Sequence, residues 1–118
     1  ILNCLETATG NRLWSRNILA DAGDGMTPAA NLEWGVSGSP CVHADYVLVI
    51  AGGTVGKSVL AYDRLTGDIR WSGGSFPASY GGPRVETFHG TPVVLAYHGL
   101  GLAGLALETG ALLWDFPW

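Results

Sequence analysis

The strongest constraint on this chain is a phrase that it writes three times. Thr-Gly, three further residues and a tryptophan occur in "TATGNRLW" ending at Trp14, "RLTGDIRW" ending at Trp71 and "LETGALLW" ending at Trp114. Gly67 and Gly110 lie 43 residues apart, as do Trp71 and Trp114, and Pro40 and Pro83 upstream keep the same interval. Landmarks that hold register over such a period mark one supersecondary unit repeated, each unit needing a neighbour to bury its apolar faces. The first copy holds only its closing part. Trp14 precedes Trp71 by 57 residues, so a surplus of 14 falls within residues 15–39, on "NILADAGDGMTPAANLEW". A surface loop is expected there.

Within a unit the chain reads as four short strands. The middle copy gives "SPCVHA", "YVLVIAG", "SVLAYD" and "DIRWSG", and the third gives "PRVETF", "TPVVLAY", "LAGLAL" and "ALLWDF". The first supplies only "LNCLE" and "NRLWSR". Short strands between turn residues are an all-β pattern, and the 18 glycines, about twice the usual share, supply the turns. The second strands are apolar at almost every position, so both of their faces should be buried. A β-sandwich would alternate more cleanly. Four-stranded units covered on both sides are the blades of a β-propeller. The chain is therefore expected to form a fragment of about two and a half four-stranded antiparallel blades. Residues 1–17 end one blade, 37–74 form the second and 80–118 the third.

The recurring residues have mechanical work to do. Gly67 falls where a tight hairpin needs positive φ. Asp63 can accept from the backbone N–H groups of that turn, and Thr66 can assist through its hydroxyl. Trp71 is expected to lie flat between adjacent sheets with its indole N–H on a neighbouring carbonyl. Glu6, Thr9, Gly10 and Trp14 repeat the set, and Thr109, Gly110 and Trp114 repeat it again with Ala106 in the place of Asp63. A catalytic site is made once, whereas a fastener is made once per unit.

"LAYDRLTGDIRW" resembles the tryptophan-docking motif Ala-x-Asp-x-x-x-Gly-x-x-x-Trp, with Ala61, Asp63, Gly67 and Trp71 in the four signature positions. Through this motif and its copies the whole chain is similar to the pyrroloquinoline-quinone (PQQ)-like repeat proteins of bacteria. The resemblance implies a seven- or eight-bladed ring outside the cytoplasm, periplasmic in bacteria, of which this segment supplies a part. The remaining blades of a longer chain are then its first partners, with a protein partner as a further one. The function implied is a non-catalytic scaffold for protein or ligand binding. The alternative is part of a PQQ-dependent quinoprotein dehydrogenase oxidising an alcohol or a sugar. PQQ and calcium are cofactors only under that alternative, which calls for carboxylate and amide calcium ligands, an aspartate base and, in many members, adjacent cysteines. Cys4 and Cys41 are far apart and read as two buried thiols.

No other stretch makes a strong chemical claim. Asp21 and Asp24 in "DAGDG" suggest calcium ligands but lack the Asp-x-Asn/Asp-x-Asn/Asp-Gly spacing, and a flexible loop is the simpler reading. "GGTVGKS" before the strand at Ser58 misses the phosphate-loop spacing by one residue and has no helix after it. A hairpin loop is expected there. His43, His89 and His98 share no metal spacing and read as surface or packing residues. The net charge of −4 and six scattered basic residues leave no stripe for nucleic acid. The longest apolar run, residues 93–107, is broken by a histidine and glycines, and two strands explain it better than a membrane span. Three residues stand as candidate ligand or partner contacts. Trp34 sits on the insertion, where it either covers a binding face or packs in the core. Arg84 and Glu86 share one face of an inner strand, where Arg84 either meets an anionic ligand or pairs with Glu86.

Overall fold

A computed structural model describes residues 1–53 and 55–118. Three antiparallel sheets follow one another along the chain, with two, four and four strands. The first sheet pairs β1 (Leu2–Leu5) with β2 (Arg12–Arg16), and a short helix α1 (Ile18–Ala22) follows. The second runs in meander order through β3 (Cys41–His43), β4 (Tyr46–Gly53), β5 (Lys57–Asp63) and β6 (Ile69–Gly73). The third repeats it with β7 (Arg84–Phe88), β8 (Thr91–His98), β9 (Gly101–Ala106) and β10 (Leu112–Pro117). The molecule is all-β, a propeller fragment of two full blades and the outer half of another.

Two apolar layers join the sheets, and β4 contributes to both. Val47, Val49 and Ala51 point toward the first sheet and α1, while Tyr46, Leu48 and Ile50 point toward the third sheet. Alternate side chains of a strand take opposite faces, so burial on both sides requires the unbroken apolar run. The third sheet is covered on one side only. There Val94 and Ala96 are buried among residues of the second sheet, whereas Tyr97 is 48% exposed.

Every sheet also carries a bulge just before its tryptophan. The register slips between Cys4 and Leu5, between Ala61 and Tyr62, and between Leu112 and Trp114. After each slip the tryptophan pairs with the equivalent residue of the preceding strand, Trp14 with Cys4, Trp71 with Ala61 and Trp114 with Gly104. An extra residue turns the strand about its axis, and here it re-aims the indole toward the following sheet.

Two expectations need correction. The insertion is not only a surface loop: Asn17 caps α1 by accepting from the Ala20 N–H, and Ile18 and Ala22 are buried against the second sheet. With only two strands, the first sheet leaves the inner part of that face bare, and burial of apolar residues there stabilises a helix too short to stand alone. Cys4 and Cys41 are free thiols, but both are half-buried rather than buried. The phosphate-loop stretch includes Thr54, which lies outside the described residues; on either side of it Gly53 pairs with Lys57 across a hairpin.

Candidate functional site

The three recurring turns share one hydrogen-bond scheme. The N–H of Glu6, Asp63 and Ala106 donates to the carbonyl of Asn11, Asp68 and Ala111, at 2.8, 2.7 and 2.8 Å. The N–H of Gly10, Gly67 and Gly110 donates back to the carbonyl of Glu6, Asp63 and Ala106, at 2.8, 2.9 and 2.8 Å. Thr9, Thr66 and Thr109 each accept, on the hydroxyl, the N–H two residues further on. The acidic position varies more. Asp63 Oδ1 accepts the N–H groups of Leu65 and Thr66 at 2.8 and 3.0 Å, and these hold its carboxyl below the usual carboxylate range. Glu6, one methylene longer, accepts instead from the Thr9 hydroxyl. At Ala106 the backbone bonds and the Thr109 hydroxyl close the turn without a carboxylate.

The tryptophans reach across to these turns. Trp14 Nε1 donates to the Arg64 carbonyl at 3.0 Å, and Trp71 Nε1 donates to the Leu107 carbonyl at 2.7 Å. Arg64 and Leu107 stand three residues before Gly67 and Gly110, so the two joints are copies of each other. In both, the indole lies on the glycine of the next turn. A Cβ on Gly67 would meet Trp14 Cδ2 at 2.7 Å, and one on Gly110 would meet Trp71 Cε3 at 2.3 Å. Each glycine thus answers two demands, a φ of +77° or +71° and a bare floor for the ring. Sequence reasoning found only the first. The signal for the second was the recurrence of glycine alone at a position where asparagine also tolerates positive φ.

The series is unfinished at both ends. Trp114 lies over Gly104 on the uncovered face of the third sheet and is 40% exposed, beside Phe116 at 62%. At the other end the Gly10 turn has the same positive φ as its copies, and nothing lies within 4 Å of where its Cβ would be.

The insertion is pinned by polar contacts, part-buried at Asp21 and Lys57 and exposed at Asp24. Asp21 accepts from Arg16 through two hydrogen bonds, at 3.0 and 2.9 Å, and from the Tyr62 hydroxyl at 2.9 Å. Burial first, and the bond to Asp21 second, push the Tyr62 hydroxyl far above its ordinary value, so it acts as a fixed donor. Asp24 accepts the N–H groups of Met26 and Thr27, which lower its carboxyl below the usual range. Lys57 Nζ donates to the Gly23 carbonyl at 2.7 Å. A cleft of about 210 Å³ opens here between Gly23, Asp24, Thr27, Gly52 and Gly53. The two aspartates do not fit a calcium site, since one carboxylate is neutralised by Arg16 and the other is committed to its own turn. Among the described residues no three His, Cys, Asp or Glu side chains gather to hold a metal.

Of the three candidate contacts, Arg84 and Glu86 meet each other. Trp34 is 78% exposed on the insertion, its N–H 3.4 Å from the Tyr80 hydroxyl. Arg84 Nε meets Glu86 Oε1 at 2.6 Å on β7. His98, read from the sequence as a surface or packing residue, packs. Its ring is buried, stacks on Phe76 with centroids 4.1 Å apart, and accepts the Leu100 N–H on Nδ1. That bond leaves Nε2 to face Asp115 at 3.0 Å.

Comparison with protein families matches residues 2–117 to the family described as outer membrane protein assembly factor BamB. The chain belongs to this family of PQQ-like repeats. No curated protein matches it.

Proposed function

With that membership as premise, we propose that this segment is a non-catalytic propeller scaffold whose surfaces bind a protein or a small ligand. The observation that carries the reading is the use made of the recurring residues. Thr66, Gly67 and Trp71 and their copies at Gly10, Trp14, Thr109 and Gly110 spend their hydrogen bonds and apolar area on turns and on joints between sheets. The segment takes its place in a ring of seven or eight such blades, with further blades against the Trp114 face and the Gly10 turn. The tryptophan joints are the docking contacts of that ring. A partner then meets the variable parts, the insertion with exposed Trp34 and the strand carrying Arg84 and Glu86.

The name attached to the family, an outer-membrane assembly factor, supports a periplasmic or otherwise extracytoplasmic location. No helix among the described residues is long and apolar enough to cross a membrane. The competing reading is a blade set of a PQQ-dependent dehydrogenase. Dye-linked oxidation of alcohols and sugars, measured on the full-length protein with PQQ and Ca²⁺, separates the two. The scaffold reading expects no turnover above the cofactor alone, and saturable turnover would overturn it.

A further inference from the structure

Of the three histidines, His43 and His89 are exposed, whereas His98 is buried, its side chain 1% exposed. It closes β8 on the face that Val94 and Ala96 turn to the second sheet, so it lies inside the joint between the two complete blades. The other eight-residue strand, β4, ends instead in Gly53, where a Cβ would strike the Ala22 carbonyl at 2.3 Å. The ring is thus particular to its joint and no part of the repeated fastening.

The linker from β6 to β7 is strapped over it. Phe76 stacks on the imidazole with 18° between the planes. Ser58 on β5, fully buried, holds both backbone groups of Phe76: its hydroxyl accepts the Phe76 N–H at 2.7 Å and lies 2.6 Å from the Phe76 carbonyl. Gly99, next to the ring, donates its N–H to the Pro77 carbonyl at 3.0 Å. Second sheet, linker and β8–β9 hairpin therefore meet at one side chain. Both of its nitrogens are committed. Nδ1 accepts the Leu100 N–H at 3.2 Å, which requires the neutral ring with its proton on Nε2, toward Asp115.

We propose that His98 is a proton-sensitive latch on this joint: neutral, it holds the hairpin and the linker together, and protonated, it lets both go. A second proton would sit on Nδ1 and meet the Leu100 N–H donor to donor, in a place shut off from water. The charged group facing the ring is Asp115 on β10. Its side chain is 44% exposed, and a pair so open to water supports an imidazolium little. On the second-sheet strands Lys57 is engaged with the Gly23 carbonyl, Arg70 with Asp63, and Tyr46 with Glu108. The linker before Arg84 and β9 bring no charged side chain. Acid therefore opens the latch. This response is added to the scaffold and holds whatever the scaffold binds.

Hydrogen exchange of the full-length protein, read by mass spectrometry and corrected for the pH dependence of free amides, tests this. A histidine open to water titrates near about pH 6.5. From about pH 7.5 to about pH 5.5, protection in residues 75–79 and 98–101 is expected to fall about 10-fold, while β4 and β5 keep theirs. His98→Gln keeps a polar side chain that takes up no proton, and it is expected to lose the response. Asp115→Asn keeps an acceptor for the Nε2 proton and is expected to retain it. His43→Gln combined with His89→Asn leaves His98 as the sole histidine of this stretch and is also expected to retain it. That variant decides the matter where His98→Gln does not fold. Wild-type protection unchanged by acid overturns the proposal. So does a response that survives His98→Gln, or one that either of the other variants abolishes, because another group then titrates. None of these outcomes bears on quinone turnover, so the two readings fall separately.

Discussion

At the scale of single residues, the acidic position of the turn shows how one side chain's chemistry sets a local stability. Asp63 is held below the usual carboxylate range by two backbone N–H groups, Thr66 first and Leu65 second, with Arg70 Nη1 3.0 Å from its other oxygen. A carboxyl depressed on folding stabilises the turn above its unfolded value of about 4, and the contribution is lost as pH falls through the lower folded value. Amide exchange in residues 64–68 is therefore expected to accelerate on acidification below about pH 4 relative to the Ala106 turn. Asp63→Asn keeps one acceptor oxygen and is expected to abolish that acid response. An unchanged response in the variant would show that another group titrates.

Asp21 carries a different burden. It is the common acceptor of Arg16, from the first sheet, and Tyr62, from the second, and Tyr62 is fully buried. Asp21→Ala leaves the Tyr62 hydroxyl without its partner, and an unmet buried donor costs about 1–3 kcal/mol. Urea denaturation measures the loss.

At the scale of elements, the contrast lies between strands and helix. The strand boundaries were legible because their punctuation is local: glycine with positive φ, the threonine just before it, and an apolar run where both faces are covered. The helix was not legible. Five residues among glycines and prolines carry too little propensity to form a helix alone. What forms it is contact with the second sheet through Ile18 and Ala22, and the tie from Asp21 to Arg16 and Tyr62. Of these partners, the second sheet and Tyr62 are remote in sequence. The helix is thus expected to open before the sheets do. In hydrogen exchange on Asp21→Ala, protection at residues 21–23 should fall by about 10-fold or more, while β4 and β5 keep their order of protection. Uniform loss across both sheets would mean that the insertion is part of the global folding unit.

The candidate contacts divide along the same line. Arg84 and Glu86 share a strand face, and period-two alternation alone places them together. The exposure of Trp34 depends on how the insertion crosses the second sheet, and no periodicity in "TPAANLEW" encodes that path.

At the scale of the whole molecule, the three sheets are coupled through two copies of one joint, and the Trp114 face and the Gly10 turn hold the unmatched halves of a third. The repeat interval announced the architecture, but the glycine floor beneath each indole is a property of two sheets together and could not be seen in either alone. This floor is the central claim, and two glycines isolate it. Gly110 and Gly10 have nearly the same φ, +71° and +74°, so alanine at either one bears the same backbone strain of about 1–2 kcal/mol. Only at Gly110 would the new Cβ strike an indole, Trp71 Cε3 at 2.3 Å. Urea denaturation of Gly110→Ala and Gly10→Ala compares the two positions directly. The account predicts that Gly110→Ala costs about 1–3 kcal/mol more than Gly10→Ala, the range for forcing atoms into a packed contact. Equal costs at the two positions would contradict it.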